Sequence, residues 1–457
     1  MPGGDPGHPG CRVLAIIGSG ETSPTMVTVH RDLVSRLGLG RPRAIVLATP
    51  YAFQENAPDV SARIQEYFAD SVGLPVRVAA GTSPEADPAM AAPAIAGDEG
   101  RQAADIAAAD WLFAGPGSPS YALAHWQAGS VAAGLRDRVL AGDGVTVLAS
   151  AAAATAGRFT LPVYEIYKAG GAPRWLAGLD LLGLLGLPVA VIPHYDNTEG
   201  RRYDTRHCYL GERRLAVMER ELPAGAAVLG VDEHTAALID LRTEDIEIRG
   251  RGGVTVRRSG DSVVLPAGTR LPLAELRGLA LALGLRRTAG RDRADYRTHG
   301  ASGSAHTSGD TAGESDGTAS DGDRLALPLP EIMAAAERRF GAAAGNHDAD
   351  AMVGAVLELE TAIGQWGADT DENQGTEQAR ALLRSLIGRL GRAAQDGLAD
   401  PRGRLAPVVE PLLALRAALR GEGNYAAADA IRDALATAGL DVSDTPEGTR
   451  WQPTELA

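Results

Sequence analysis

Short apolar runs alternate with amphipathic stretches along the first two thirds of the chain. Residues 12–18 (RVLAIIG) form an apolar run closed by glycine, the pattern of a buried strand. From Pro24 to Leu37 apolar residues recur every three or four positions and predict a helix. The alternation continues through RAIVLAT (43–49), a helical stretch from Ala57 to Val72, PVRVAAG (75–81) and a helical stretch near 99–108. It goes on through DWLFAGPG (110–117), helices to about 142, VTVLAS (145–150) and LPVAVIPHY (187–195). Strand and helix in regular alternation predict an α/β fold, a doubly wound, mostly parallel sheet covered on both faces. From Ala226 the texture changes to short strands with glycine-containing turns, read as a β appendage to the same domain. That domain is expected to span 12–290.

Residues 291–325 are dominated by Gly, Ser, Thr, Asp and Arg. Such a segment has too little apolar surface to form a core, so it reads as a flexible, disordered linker. Beyond it, from 328 to about 440, apolar residues recur at three and four with short polar breaks. This predicts a small C-terminal all-α bundle within 328–452.

Composition narrows the classes. A chain of 457 residues is expected to hold two or three domains. The net charge of −14 argues against a freestanding nucleic-acid binder. Two cysteines, Cys11 and Cys208, exclude a disulfide framework and a Cys-rich zinc site, and fit a reduced, cytoplasmic setting. The start, MPGGDPGHPG, lacks the basic and apolar regions of a signal peptide. The most apolar stretch, 175–192, is interrupted by Gly, Asp and Pro and falls short of the roughly 20 apolar residues of a membrane span, so no membrane partner is expected.

Four polar clusters follow predicted strands, where ligands bind in parallel sheets: GSGETSPT (18–25), GPGSPS (115–120), SAAAA (150–154) and PHYDN (193–197). Ser150 sits at a strand-to-helix turn among small residues, a place for a nucleophile and equally for a helix N-cap. A serine hydroxyl needs a base, and His194 ends a later strand. A carboxylate must orient that imidazole. Glu165 is the first choice, with Asp196, Glu199 and Glu233 also in range. The N–H groups of Ala151, Gly117 and Ser118 are the candidate oxyanion donors. Neither a metal nor an organic cofactor is implied.

The segments DWLFAGPGSPSYAL, VTVLASAAA, VAVIPHYDN and LGVDEHTAALID, in this order, resemble the dipeptidase E and cyanophycinase group over roughly 12–285. These are serine peptidases on a class I glutamine amidotransferase-like fold. The resemblance puts Ser150 in the place of the nucleophile, with Leu148 and Ala152 where the group's turn carries glycines. It puts His194 at the strand-end histidine and Glu165 near the spacing of an acidic residue, while Glu233 lies in a recognisable block of its own. The group's Gly-Gly-Asn or Gly-Gly-Asp loop reads Pro116-Gly117-Ser118 here. Relatives favour aspartyl substrates. The arginines after the histidine, Arg201, Arg202 and Arg206 with Arg213 and Arg214, are then candidate carboxylate binders; the bland reading is a solvated face paired with Asp204, Glu212 and Glu219.

Residues 410–452 resemble the terminal helices of cysteinyl-tRNA synthetase, with ADAIRDALATAGLDVSDTPEGTRW the most specific part; a weaker likeness begins near 328. In the synthetase this region contributes to tRNA binding near the anticodon. The chain is not expected to be a functional synthetase. It has no His-x-Gly-His turn, and its sole lysine, Lys168, rules out a Lys-Met-Ser-Lys-Ser loop. Three readings follow. The first is a peptidase or amidohydrolase acting on a small peptide or amide. The second is a non-catalytic ligand-binding protein whose tail takes tRNA or a protein partner. The third is an acyl transferase using the same triad.

Overall fold

The computed structural model describes residues 10–79, 96–200, 203–283, 327–366, 375–396, 401–445 and 448–454. The linker expected at 291–325 lies outside the described residues. The chain divides into two compact units, Met1–Leu327 with Trp366–Glu372, and Pro328–Gln365 with Asn373–Ala457.

Among its described residues the first unit holds fourteen strands: β1 Arg12–Ile17, β2 Ala44–Leu47, β3 Arg77–Val78, β4 Trp111–Ala114, β5 Gly144–Ala149, β6 Phe159–Thr160, β7 Leu176–Ala177, β8 Val189–Ile192, β9 Ala227–Val231, β10 Thr235–Asp240, β11 Asp245–Gly250, β12 Gly253–Arg258, β13 Asp261–Pro266 and β14 Arg270–Pro272. They form two sheets. The larger has the order β14-β11-β10-β1-β5-β4-β2-β3, and the smaller β13-β12-β9-β8-β6-β7. In the larger sheet β1, β5, β4, β2 and β3 are parallel, while β10, β11 and β14 continue it antiparallel.

The parallel strands read as unbroken apolar runs because both their faces are buried. Along β1, Val13, Ala15 and Ile17 enter one core with Val29 and Leu33 of helix Val27–Leu37. Leu14 and Ile16 enter the other, with Ala122, Leu123 and Trp126 of helix Pro119–Ala128. That second core also takes Val189, Val191, Leu229 and Val231 from the smaller sheet, so it lies between the two sheets. The mixed α/β fold with a doubly wound parallel core is the one expected.

Two expectations are corrected. The strands after Ala226 are no separate appendage. β9, β12 and β13 belong to the smaller sheet, whereas β10, β11 and β14 extend the larger one. β8, read as part of the parallel sheet, pairs parallel with β6 and β9 in the smaller sheet. A strand buried on both faces has the same sequence pattern in either sheet, so its neighbours were not readable.

The second unit has helices Leu329–Gly345, Ala349–Gln365, Gly375–Asp396, Pro401–Gly421 and Tyr425–Thr437. It is not all-α. β15 Leu440–Thr445 and β16 Gly448–Pro453 form an antiparallel hairpin. Leu440 and Trp451 pack there with Val409, Leu413 and Leu435 of the last two helices. The Arg416 guanidinium, itself buried, grips Asp444 of the hairpin through two hydrogen bonds of 2.9 and 2.8 Å. Among the described residues no helix is long and apolar enough to cross a membrane.

Candidate active site

Ser150 follows the last residue of β5 and opens a six-residue helix, Ser150–Thr155. Its φ of 47° is left-handed, a conformation that costs a non-glycine residue roughly 1–3 kcal/mol. The strain turns the chain sharply where strand becomes helix. Ala151 to Ala154 are buried, and the inter-sheet core takes Ala152 and Ala153, which explains the run of small side chains.

His194 lies two residues beyond β8, also at φ 47°. β8 and β9 are parallel neighbours with Ile192 opposite Gly230, so the residues just past both strands emerge side by side. Gly230 itself meets Tyr195; a Cβ there would stand 2.3 Å from the tyrosine ring, so only glycine leaves it room.

The three side chains line up. Ser150 Oγ is 3.1 Å from His194 Nε2. His194 Nδ1 is 3.0 Å from Glu233 Oε1. Burial works against the charge on Glu233, yet the hydrogen bond and field of His194 and a further donor from Asn197 outweigh it and hold the carboxyl below its ordinary value. Glu233 is then a carboxylate and acts only as an acceptor. Nδ1 therefore carries the proton, and the lone pair of Nε2 faces the serine hydroxyl.

Glu165, the first-choice carboxylate, stands elsewhere. On the short helix Val163–Tyr167, its Oε1 accepts a hydrogen bond from Ser120 Oγ at 2.5 Å. Asp196 and Glu199 have different tasks too. Asp196 Oδ1 accepts the backbone N–H of Glu233 at 2.7 Å, and Glu199 Oε2 accepts the Tyr209 hydroxyl at 3.0 Å.

The oxyanion candidates divide as well. The Ser118 N–H donates to Pro50 O at 2.8 Å, so this donor is already engaged. Ser118 Oγ instead caps helix Pro119–Ala128 by accepting the Tyr121 N–H. The N–H groups of Gly117 and Ala151 have no acceptor among the described residues. Gly117 has φ 131°, and a Cβ there would meet Pro50 O at 2.0 Å, so the loop takes this path only with glycine.

Of the arginines, Arg201 and Arg202 lie outside the described residues. The Arg206 guanidinium is taken by Asp204, with hydrogen bonds of 2.8 and 2.9 Å, which matches a solvated, internally paired face. Glu212 and Glu219 pair instead with buried Arg257 of β12.

Sequence reasoning missed two supports of the histidine. Asn197, fully buried, donates Nδ2–H to Glu233 Oε1 at 2.9 Å. His207, Cys208 and Tyr209 have φ of 61°, 55° and 62°, a left-handed turn built without glycine. It is held by the N–H of His207 on Tyr195 O (2.8 Å) and of Cys208 on His194 O (3.0 Å). Asn197 stands in the PHYDN cluster and was within reach; nothing in the letters HCY signals a left-handed turn. Among the described residues no group of His, Cys, Asp and Glu is arranged to hold a metal ion.

Residues 402–451 match the family model described as the cysteinyl-tRNA ligase anticodon binding domain. Curated relatives are cysteine–tRNA ligases. The one from Halorhodospira halophila is 40% identical over 90 residues, 19% of this chain and 20% of that protein. The one from Frankia casuarinae is 53% identical over 53 residues, 12% of this chain and 10% of that protein. The chain thus spans a fifth or less of these ligases. Among solved structures, a peptidase from an acI-B1 Actinobacterium is similar, with 16% identity and a TM-score of 0.44 over 57% of this chain and 97% of that one. A Listeria monocytogenes EGD-e protein named for peptidase E gives 12% identity and a TM-score of 0.33, over 56% of this chain and all of that one.

Proposed function

We propose that the first unit is a serine-dependent peptidase or amidohydrolase in which Ser150 attacks a peptide or amide carbonyl. The observation that carries this reading is the unbroken relay from Ser150 Oγ through the His194 ring to Glu233. Ser150 bonds to the carbonyl carbon as His194 Nε2 takes the hydroxyl proton. The carbonyl oxygen becomes an anion, and the N–H groups of Ala151 and Gly117 are the donors available to it. Loss of one such donor typically costs ~10²–10³ in rate. The intermediate collapses, His194 returns its proton to the leaving amine, and an acyl-serine remains. Water then repeats the cycle in reverse and frees the acid. Glu233 stays ionised throughout and stabilises the imidazolium.

Labelling by a fluorophosphonate probe with intact mass tests this. One adduct on the wild type and none on Ser150→Ala is the expected result. A wild type that neither labels nor hydrolyses any small amide sinks the reading and leaves a ligand-binding protein.

A second reading concerns the other unit. The match of residues 402–451 to an anticodon binding domain supports RNA binding, with a tRNA as the ligand. The whole chain remains without the parts of a synthetase named above, so binding and not aminoacylation is what this unit would add.

A further inference from the structure

Glu233 is gripped at both ends by one short loop, the one that follows β8. His194 Nδ1 meets the Glu233 side chain at 3.0 Å. Two residues further along, Asp196 Oδ1 accepts the Glu233 backbone N–H at 2.7 Å. The bond is short, as befits a carboxylate acceptor.

The turn between β9 and β10 shows what that second grip does. Its backbone N–H groups go three ways. That of Asp232 donates to Gly253 O at 3.1 Å, at the start of β12 in the smaller sheet, and Asp232 Oδ2 accepts the Gly253 N–H in return at 2.8 Å. That of His234 donates to Ser19 O at 3.1 Å, just past β1 of the larger sheet, and the His234 ring stands 2.9 Å from Thr25 Oγ1. The middle one, of Glu233, reaches the loop that carries His194. The outer two tie the turn to other parts of the unit, so it is the Asp196 bond that fixes the Glu233 backbone against the histidine's own loop. Below it, the Tyr195 N–H on Val231 O at 3.1 Å joins the two segments where β8 and β9 end. Asn197 donates to Glu233 Oε1, the oxygen that His194 also meets. That bond satisfies the carboxylate but leaves its backbone where Asp196 puts it.

The grip is kept against an electrostatic penalty. Burial and the charge on Glu233 raise the Asp196 carboxyl above its ordinary value, against the pull of the Glu233 N–H. Asp232 is pushed up to about 6 by burial and by the charge of Asp196. An asparagine at 196 would accept the same N–H without adding charge to this crowd, through a neutral bond roughly half as strong. A carboxylate held among others in this way points to a task for the stronger bond.

We infer that Asp196 is a positioning residue of the relay, which holds the backbone of Glu233 and thereby sets its carboxylate against His194 Nδ1. The inference rests on the hydrolase reading for its effect on rate, whereas the alignment itself belongs to the folded chain with or without that activity.

Two readouts on the full chain test it, in wild type, Asp196→Asn and Asp196→Ala. One is the rate at which a fluorophosphonate labels Ser150. The other is the low-field proton resonance of His194 Nδ1–H, assigned by its absence in His194→Gln. Asp196 lies in a loop and enters none of the hydrophobic cores, so both Asp196 variants should keep a thermal midpoint within a few degrees of wild type. Asp196→Ala should label at least about ten-fold more slowly at saturating probe, with the half-saturating probe concentration within about two-fold, and should lose the resonance. Asp196→Asn, which keeps an acceptor for the N–H, should label within about three-fold of wild type and keep the resonance. A purely structural role would not spare probe binding while slowing the bond-forming step, nor be rescued by asparagine. The inference is overturned if Asp196→Ala keeps the resonance or labels within about three-fold of wild type, or if Asp196→Asn loses as much as Asp196→Ala. If the wild type does not label, the hydrolase reading falls and the resonance alone decides. Its loss in Asp196→Ala but not in Asp196→Asn leaves the positioning role standing, and its survival in Asp196→Ala overturns it.

Discussion

Glu165 meets Ser120 and Glu233 meets His194, so two carboxylates that the sequence offered for one role stand in different places. Spacing after the serine favoured Glu165, whereas geometry gives the imidazole to Glu233. Distance along the chain cannot reveal which strands are neighbours, and it is the pairing of β8 with β9 that brings Glu233 to His194. Ser150 and His194 were legible because both stand at the carboxyl end of an apolar run. Their backbone strain was not, since no letter marks φ 47° outside glycine. Glu233→Gln should lower kcat/KM by ~10²–10⁴ with thermal stability nearly unchanged, because the amide can donate where the carboxylate only accepts and so favours the wrong tautomer. Glu165→Gln should leave kcat/KM within a few-fold, since this side chain is bonded to Ser120 and not to the histidine. Steady-state kinetics on one neutral amide separates the two; equal losses would return Glu165 to the catalytic machinery.

Among the elements, the helix Ser150–Thr155 is the most exacting. Ala152 and Ala153 lie in the inter-sheet core with Val189 and Val191 of one sheet and Leu148 of the other. Ala153→Leu should cost about 1–3 kcal/mol through overpacking, read as a lower urea midpoint with the slope unchanged. The same substitution at exposed Ala430, in helix Tyr425–Thr437, should shift the midpoint little. Most strands and helices of the first unit were readable from periodicity, because length and β-branched content mark a buried strand. Sheet membership was not, as the division of the strands after Ala226 shows. The terminal hairpin left a signal that helical reading overrode: Leu440 and Val442 alternate with polar residues, then comes Pro446-Glu447-Gly448, then Trp451. The resemblance to synthetase helices pulled that stretch toward an all-α reading.

For the molecule as a whole, acid should loosen the first unit before it touches the carboxylate pairs. Burial pushes the His30 imidazole down to about 4, with the bond from its Nε2 to the Glu21 carbonyl pulling weakly the other way. Burial likewise brings His207 down to about 4. Each is neutral when folded and protonates more readily when unfolded, so the stability it contributes is complete above pH ~6.5 and declines as pH falls toward 4. For His30 the loss is on the order of 3 kcal/mol. His30→Gln, which keeps a donor for the Glu21 carbonyl, should flatten the dependence of thermal midpoint on pH between 7 and 5; an unchanged slope would show that another group sets it. At the other end of the chain, deletion of 402–457, which removes the matched segment and leaves Trp366 in place, should abolish a salt-dependent tRNA shift and leave Ser150 labelling intact. Loss of labelling with the tail would mean that the two units do not act separately. The weaving of strands between sheets has a kinetic consequence. After β9 joins the smaller sheet the chain crosses to the larger for β10 and β11, returns for β12 and β13, and crosses back for β14. Neither sheet is complete until nearly all of the first unit has left the ribosome, so long-range pairings set a slow folding rate. Glu233 sits on the first of those crossings, between β9 and β10. A nascent chain therefore carries Ser150 and His194 before Glu233 reaches them, and the Ser150–His194–Glu233 hydrogen-bond chain forms in the same late step that closes the fold.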